Sequence, residues 1–377
     1  MTDSPETSDR SATSAYAAAG VDIDAQDRAL KKVKKLARKT FTPGVLTEIG
    51  SFGGLFRPDL AGLEDPVLVA SADGVGTKLM VARMTGDYST VGRDLVNHCV
   101  DDVLVQGARP LFFMDYVGAG VLEPDAMVQL VGGVAAACRE NGCALLGGET
   151  AEMPGFYGEG DYELVGFIVG LVDRPAILPR QEAEHRVRPG DVLVGLPSAG
   201  LHTNGYSLAR KVFFDRLGLE PRDPIPGAED RRSVGEILLD PHLSYLEAVE
   251  PLLGHPGLHA MAHVTGGGLT DNLPRVLPKR THAFVRFGTW EVPELFHLIQ
   301  RHGEVETEEM LRVFNMGVGM VLVVGRDEVG EILADLKARG HKGFVLGSVQ
   351  KGGSGVSYDL GSVETPAGPE EDGADDG

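Results

Sequence analysis

Long hydrophobic runs are missing. No apolar stretch approaches the roughly 18 residues needed to cross a bilayer, so a membrane-spanning protein is not expected. The N-terminal residues lack the apolar core of a secretory signal. Cysteine is scarce: Cys99, Cys138 and Cys143, an odd number in apolar surroundings, argue for reduced, buried thiols and not for a disulfide framework. A cytoplasmic location is the expectation. Basic residues are outnumbered, 35 Lys and Arg against 55 Asp and Glu, for a net charge of −20. That balance speaks against nucleic acid as the main partner. No G-K-[ST] occurs, so a Walker A loop is excluded. No short-period repeat is found.

Glycine is abundant, with 51 residues spread through the chain. Tight loops and close approach of backbone to a ligand both use it. The 377 residues allow two or three domains. The ends, 1–15 and 351–377, read as disordered, the latter acidic. The basic run 28–40 reads as a surface helix. The first half, 16–173, mixes strands, among them a buried one at 66–73, with two long helices. One helix runs from Val91 to Gly107; the other carries Pro124 in its first turn and Gly142 near its end. A proline-rich, charged segment, 174–190, reads as a linker. Residues 191–350 alternate strands and helices as a second α/β domain.

Five strings carry possible chemistry. On the helix 91–107, Asp94, His98 and Asp101 share one face, with Asp102 beside them. Clustered acids are either a solvated face or a Mg2+ site, since Mg2+ takes one or two carboxylates with phosphate oxygens and waters. Asp73 and Glu149 each follow an apolar run beside a glycine turn, where acids from separate strand ends favour the metal reading. "DGVGTK" (73–78) is either a turn with a surface lysine or a loop that offers amides, a hydroxyl and an ammonium to phosphates. His202, Thr203 and Asn204 open a helix, Asn204 as a cap or as part of an anion site. Thr265, Gly266, Gly267 and Gly268 form a nest or a mobile loop before another helix. His263 reads as a hydrogen-bonded strand histidine; Arg210 and Arg275 neutralise a phosphate or lie on helix surfaces.

With "FGGLF", "DGVGTKL", "DDVLVQGARPLFFMDY", "GGETAEMPG", "HTNGYSLAR", "HVTGGGLTDNLPRVLP" and "FNMGVGM" in this order, the sequence resembles the aminoimidazole ribonucleotide (AIR) synthetases, the phosphoribosylformylglycinamidine cyclo-ligase family, from about Tyr16 to Val349. The D-x4-G-A-x-P signature falls on Asp102, Gly107, Ala108 and Pro110; the family commonly has Asn-Asp where this chain has Asp101-Asp102. The resemblance implies an α/β (α+β type) two-domain fold. Its N-terminal mixed sheet pairs across a homodimer and binds ATP, and its C-terminal domain is an α/β sandwich. It implies ATP-dependent closure of formylglycinamidine ribonucleotide to 5-aminoimidazole ribonucleotide, with ADP and phosphate released. Asp73, Asp94, Asp102 and Glu149 are then expected at Mg2+. Gly74, Gly76, Thr77 and Lys78 are expected at ATP, and His202, Thr203, Asn204 and residues 265–268 at the ribonucleotide. Lys78, Asp102 and His202 are the expected catalytic residues. The rival readings are another ATP-dependent member of the superfamily and a non-catalytic purine-nucleotide-binding module.

Overall fold

The computed structural model describes residues 23–179 and 185–361, with side chains from residue 30. The expected N-terminal tail therefore lies outside the described residues, as do 180–184 of the linker and 362–377 of the acidic tail. The first domain opens with the helix α1 (Ile23–Arg38), followed by the strand β1 (Pro66–Gly74) and two helices, α2 (Lys78–Thr85) and α3 (Val91–Leu104). Then come β2 (Arg109–Ala119), α4 (Pro124–Glu140), β3 (Ala144–Glu152) and β4 (Tyr162–Asp173). The sheet order is β1-β4-β2-β3, with β2 and β3 parallel and the other pairs antiparallel.

Helices α3 and α4 cover one face of this sheet. They approach closely at Gly92 and Gly133: a Cβ on Gly92 would stand 2.1 Å from the Leu130 carbonyl oxygen, and one on Gly133 would stand 2.7 Å from that of Ser89. Any larger residue at either position would push the helices apart. Among the described residues the other sheet face is bare along β1 and β4 and covered only near β2 and β3, where Phe56 meets Phe112 with ring centroids 5.3 Å apart and Gly54 lies against Leu146. Val67 and Val69 of β1 pack on the core, while Leu68 between them is 63% exposed and Phe167 of β4 is 42% exposed. The expectation of a buried strand at 66–73 is thus corrected to a strand buried on one side, following the period-two alternation of side chains.

The second domain holds a six-stranded sheet ordered β10-β7-β9-β5-β8-β6. Its strands are β5 (Val192–Pro197), β6 (Leu258–His263), β7 (Thr281–Arg286), β8 (Val318–Val324), β9 (Phe344–Lys351) and β10 (Val356–Asp359). β10 pairs parallel with β7, so residues 356–359, expected in the acidic tail, belong to the domain. Along the central β8, Met320, Leu322 and Val324 join the large core that continues into the first domain; Val321 and Val323 fill a second core on the other face. A segment between Val234–Leu238 and Leu246–Val249, both short helices, crosses back to α3 and carries His242. Cys99, Cys138 and Cys143 are buried free thiols, as expected. Among the described residues no helix is long and apolar enough to cross a membrane.

Candidate functional site

The expected acidic face of α3 is not solvated. Asp94, His98 and Asp101 are buried, and the face packs against the second domain. What neutralises each acid differs. The Lys78 Nζ lies 2.7 Å from Asp94 Oδ2, with both side chains at 0% exposure, and donates to the Asp240 carbonyl at 2.7 Å. The other oxygen of Asp94 accepts the His242 backbone N–H at 2.6 Å. Burial pushes the Lys78 ammonium down and the Asp94 carboxyl up, and each is the main force pulling the other back. Two expectations are corrected here. Lys78 is sealed inside the domain junction and does not reach a triphosphate; Asp94 is spent on Lys78 and the crossing segment and does not face a cation.

Asp73 and Asp102 do meet. Asp73 ends β1 and Asp102 sits on α3, with His98 between them: His98 Nε2 is 2.7 Å from Asp73 Oδ2 and 3.9 Å from Asp102 Oδ2. Asp102 accepts the Ser71 hydroxyl at 2.9 Å on one oxygen and faces His263 Nδ1 at 2.9 Å with the other. Burial works to raise both carboxyls. The imidazoles outweigh it, His98 at Asp73 and His263 with His98 at Asp102, so both stay below the usual carboxylate range. Both keep solvent access, with side chains 45% and 26% exposed. Carboxylates held ionised at an open edge suit Mg2+, which keeps waters and phosphate oxygens in its shell.

Glu149 is not part of this group. In the sheet register Asp73 aligns with Gly166, Asp115 and Gly148, whereas Glu149 aligns with Tyr116, Val165 and Gly74 in the next row. Alternation turns it to the bare face, three strands and roughly 14 Å away. Expected to hold the metal beside Asp73, it points away instead.

The phosphate loop is partly committed. The Gly74 amide donates to its neighbour Asp73 Oδ1 at 2.7 Å, which corrects its expected role as a phosphate donor. Gly76, at φ +67°, turns the chain into α2, and the Thr77 hydroxyl lies 3.2 Å from Ser207 Oγ across the domain junction.

The two expected ribonucleotide loops adjoin each other. Asn204 Oδ1 stands 3.1 Å from where a Cβ on Gly266 would lie. Asn204 is not the helix cap; Gly205, at φ +79°, occupies that position. Thr203 Oγ1 is 2.8 Å from His98 Nδ1, which ties this loop to α3. The 265–268 loop is braced by the Asn272 amide, which donates to the Gly268 carbonyl at 2.8 Å and the Gly266 carbonyl at 3.2 Å. At Gly268, φ +58°, a Cβ would fall 2.3 Å from the Leu311 carbonyl oxygen, so the loop path needs glycine. His202 is buried, stacked on His242 at 4.0 Å with Nε2 3.2 Å from the Ala199 amide. Its expected direct contact with substrate is corrected to a supporting position beneath the loop. Arg275 is exposed on the surface.

Two residues were invisible to sequence reasoning. His242 Nε2 lies 3.2 Å from His263 Nε2 and 3.4 Å from Asp101 Oδ2. Asp101 Oδ1 accepts the Tyr245 amide at 2.9 Å. Asp101 lies more than 140 positions from both His242 and Tyr245, and "DPHLSY" carries no recognisable pattern.

Comparison with known proteins is consistent with this geometry. Residues 59–172 match the family "AIR synthase related protein, N-terminal domain" and residues 188–359 match "AIR synthase related protein, C-terminal domain". A protein of Trichlorobacter lovleyi named phosphoribosylformylglycinamidine cyclo-ligase is 48% identical over 89% of this chain and 94% of its own length. One of Desulfitobacterium hafniense with the same name is 49% identical over 91% of this chain and 98% of its own. Among solved structures, the hydrogenase maturation protein HypE in complex with ATP superposes with a TM-score of 0.59 at 20% identity, covering 86% of both chains. Thiamine-monophosphate kinase from Stenotrophomonas maltophilia gives 0.59 at 16%, covering 90% of this chain and 96% of its own. These two show the fold. With both domain families matched in order and near-half identity to full-length relatives, the chain belongs to the AIR synthase family.

Proposed function

We propose that this chain is an ATP-dependent phosphoribosylformylglycinamidine cyclo-ligase. It closes formylglycinamidine ribonucleotide to 5-aminoimidazole ribonucleotide and releases ADP and phosphate. The observation that carries the reading is near-full-length identity of about half to relatives of that name, in a chain that keeps Asp73 and Asp102 together.

Phosphoryl transfer needs placement and charge neutralisation more than a protein nucleophile. Asp73 and Asp102 would hold Mg2+, which supplies the charge that ATP phosphates require. The turn at Gly76 and Thr77 would meet those phosphates. Thr203, Asn204 and residues 265–268 would hold the ribonucleotide, with His202 beneath them. Ring closure within one bound substrate mainly requires its two ends to be held together. The convergence of the two loops and α3 at the domain junction accords with that requirement. Asp102, touching both the metal site and His263, is the residue assigned to the reacting centre.

A homodimer through the first-domain sheet accords with the exposure of Leu68 and Phe167. A cytoplasmic enzyme accords with the three unpaired thiols.

The test is ADP release by the purified chain with ATP and Mg2+. Release that depends on added formylglycinamidine ribonucleotide is expected. Nucleotide binding without turnover would leave the non-catalytic reading.

A further inference from the structure

We infer that His98, His242 and His263 form a binding site for a borderline divalent transition metal, Zn2+ above all, distinct in donor chemistry from the carboxylate pair at Asp73 and Asp102. The three rings come from α3, the crossing segment and the end of β6. Each stands edge-on to the other two, with centroids 4.9 Å apart for His98 and His263, 5.2 Å for His242 and His263, and 5.3 Å for His98 and His242. Zinc–nitrogen bonds of about 2.0–2.1 Å in a tetrahedral site put ligand nitrogens about 3.3 Å apart and ring centroids about 5.2 Å apart. The Nε2 atoms of His242 and His263 are 3.2 Å apart, and one nitrogen from each of the three rings lies within 4.8 Å of the others.

The surroundings fit ligand duty. His263 Nδ1 rests on Asp102 Oδ1 and His98 Nδ1 on the Thr203 hydroxyl, the kind of outer contacts that orient metal-bound imidazoles. The remaining nitrogen of His98, Nε2, lies 2.7 Å from Asp73 Oδ2 and must exchange that carboxylate for the cation when the site fills. His202 stacks on His242 and fixes its plane. Asp101 Oδ2 is buried, has no hydrogen-bond partner and lies 3.4 Å from His242 Nε2, close enough to serve as a fourth donor after a small rotation. Two imidazole nitrogens facing each other must share a proton or a cation. Imidazole donors select Zn2+, Ni2+ and Co2+, whereas Mg2+ prefers oxygen. The inference does not depend on the ring-closing reading.

The test is titration of the chelator-treated full chain with Co2+, followed by the visible absorption of nitrogen-bound tetrahedral Co2+. One equivalent is expected to bind. Zn2+ should displace it, and a roughly hundredfold excess of Mg2+ should not. His242→Ala should abolish the bands, with His242→Gln as a second variant and thermal unfolding to verify that each is folded. Asp102→Asn should weaken binding about 10–100-fold through His263. His282→Gln, on β7 with its ring bonded to the Gly352 carbonyl, should bind as wild type does. Absence of the bands at one equivalent in the folded wild type, or equal affinity in the folded His242 variants, would overturn the site and leave three rings joined by hydrogen bonds alone.

Discussion

His263 Nδ1 lies 2.9 Å from Asp102 Oδ1, so a histidine of the second domain is held by a carboxylate of the first. The domain junction and the acidic cluster are therefore one structure. Asp102→Asn keeps the shape and removes the charge. We expect kcat to fall about 10–100-fold or more, with ribonucleotide binding changed only a few-fold. Steady-state kinetics with direct binding measurements separate the two. Wild-type turnover in the folded variant would remove Asp102 from the metal site.

Lys78 and Asp94 are fully buried partners, so removing one leaves the other charged and unpaired. Lys78→Met should cost about 3–5 kcal/mol of stability, and Lys78→Met with Asp94→Leu distinctly less. Urea unfolding of the single and double variants measures the coupling. ATP saturation of the folded single variant should match wild type. A large rise in the ATP requirement would return Lys78 to the phosphate site.

Asp115 lies in the Asp73 row of the sheet beneath α3 and α4, and burial pushes its carboxyl up to about 7. In the unfolded chain it ionises near 4. Between those values the folded state holds a proton that the unfolded state has lost, so stability falls as pH rises from about 4 to about 7. Asp115→Asn should flatten that slope and stabilise the protein by about 1–3 kcal/mol at pH 8, with little gain at pH 4. Thermal unfolding against pH tests it; an unchanged slope would mean that Asp115 ionises normally.

The bare sheet face exposes Leu68 and Phe167. If this face pairs in a homodimer, Leu68→Glu with Phe167→Glu should give a folded monomer in sedimentation velocity while wild type sediments as a dimer. A dimer that survives both charges would place the interface elsewhere.

Most elements were legible in the sequence because their signals are local. Pro124 and Gly142 bracket α4, Gly107 follows α3, and the stretches 143–150 and 315–324, read as strands, fall on β3 and β8. β10 was not legible: its four residues lie beyond the last base in an acidic stretch, and only pairing with β7 makes them a strand. Within the candidate site, Asp73 and Asp102 were singled out by their strings, and the fold brings them together. Lys78 was misassigned because the same string fits a surface loop or a buried pin, and the Asp94 carboxylate that decides between them is supplied by packing. Glu149 was misassigned because a strand-end acid looks the same from either face; register alone turned it away.

By itself, then, the sequence determined the family and the two-domain order, and it singled out Asp73 and Asp102, because short motifs and hydrophobic periods are properties of neighbours along the chain. Only the tertiary structure decided which charges are sealed and which stay open. It also decided that His98, His242 and His263 converge. Burial and distance between residues more than 140 positions apart are set by how α3, the crossing segment and β6 pack, and no local pattern encodes that meeting.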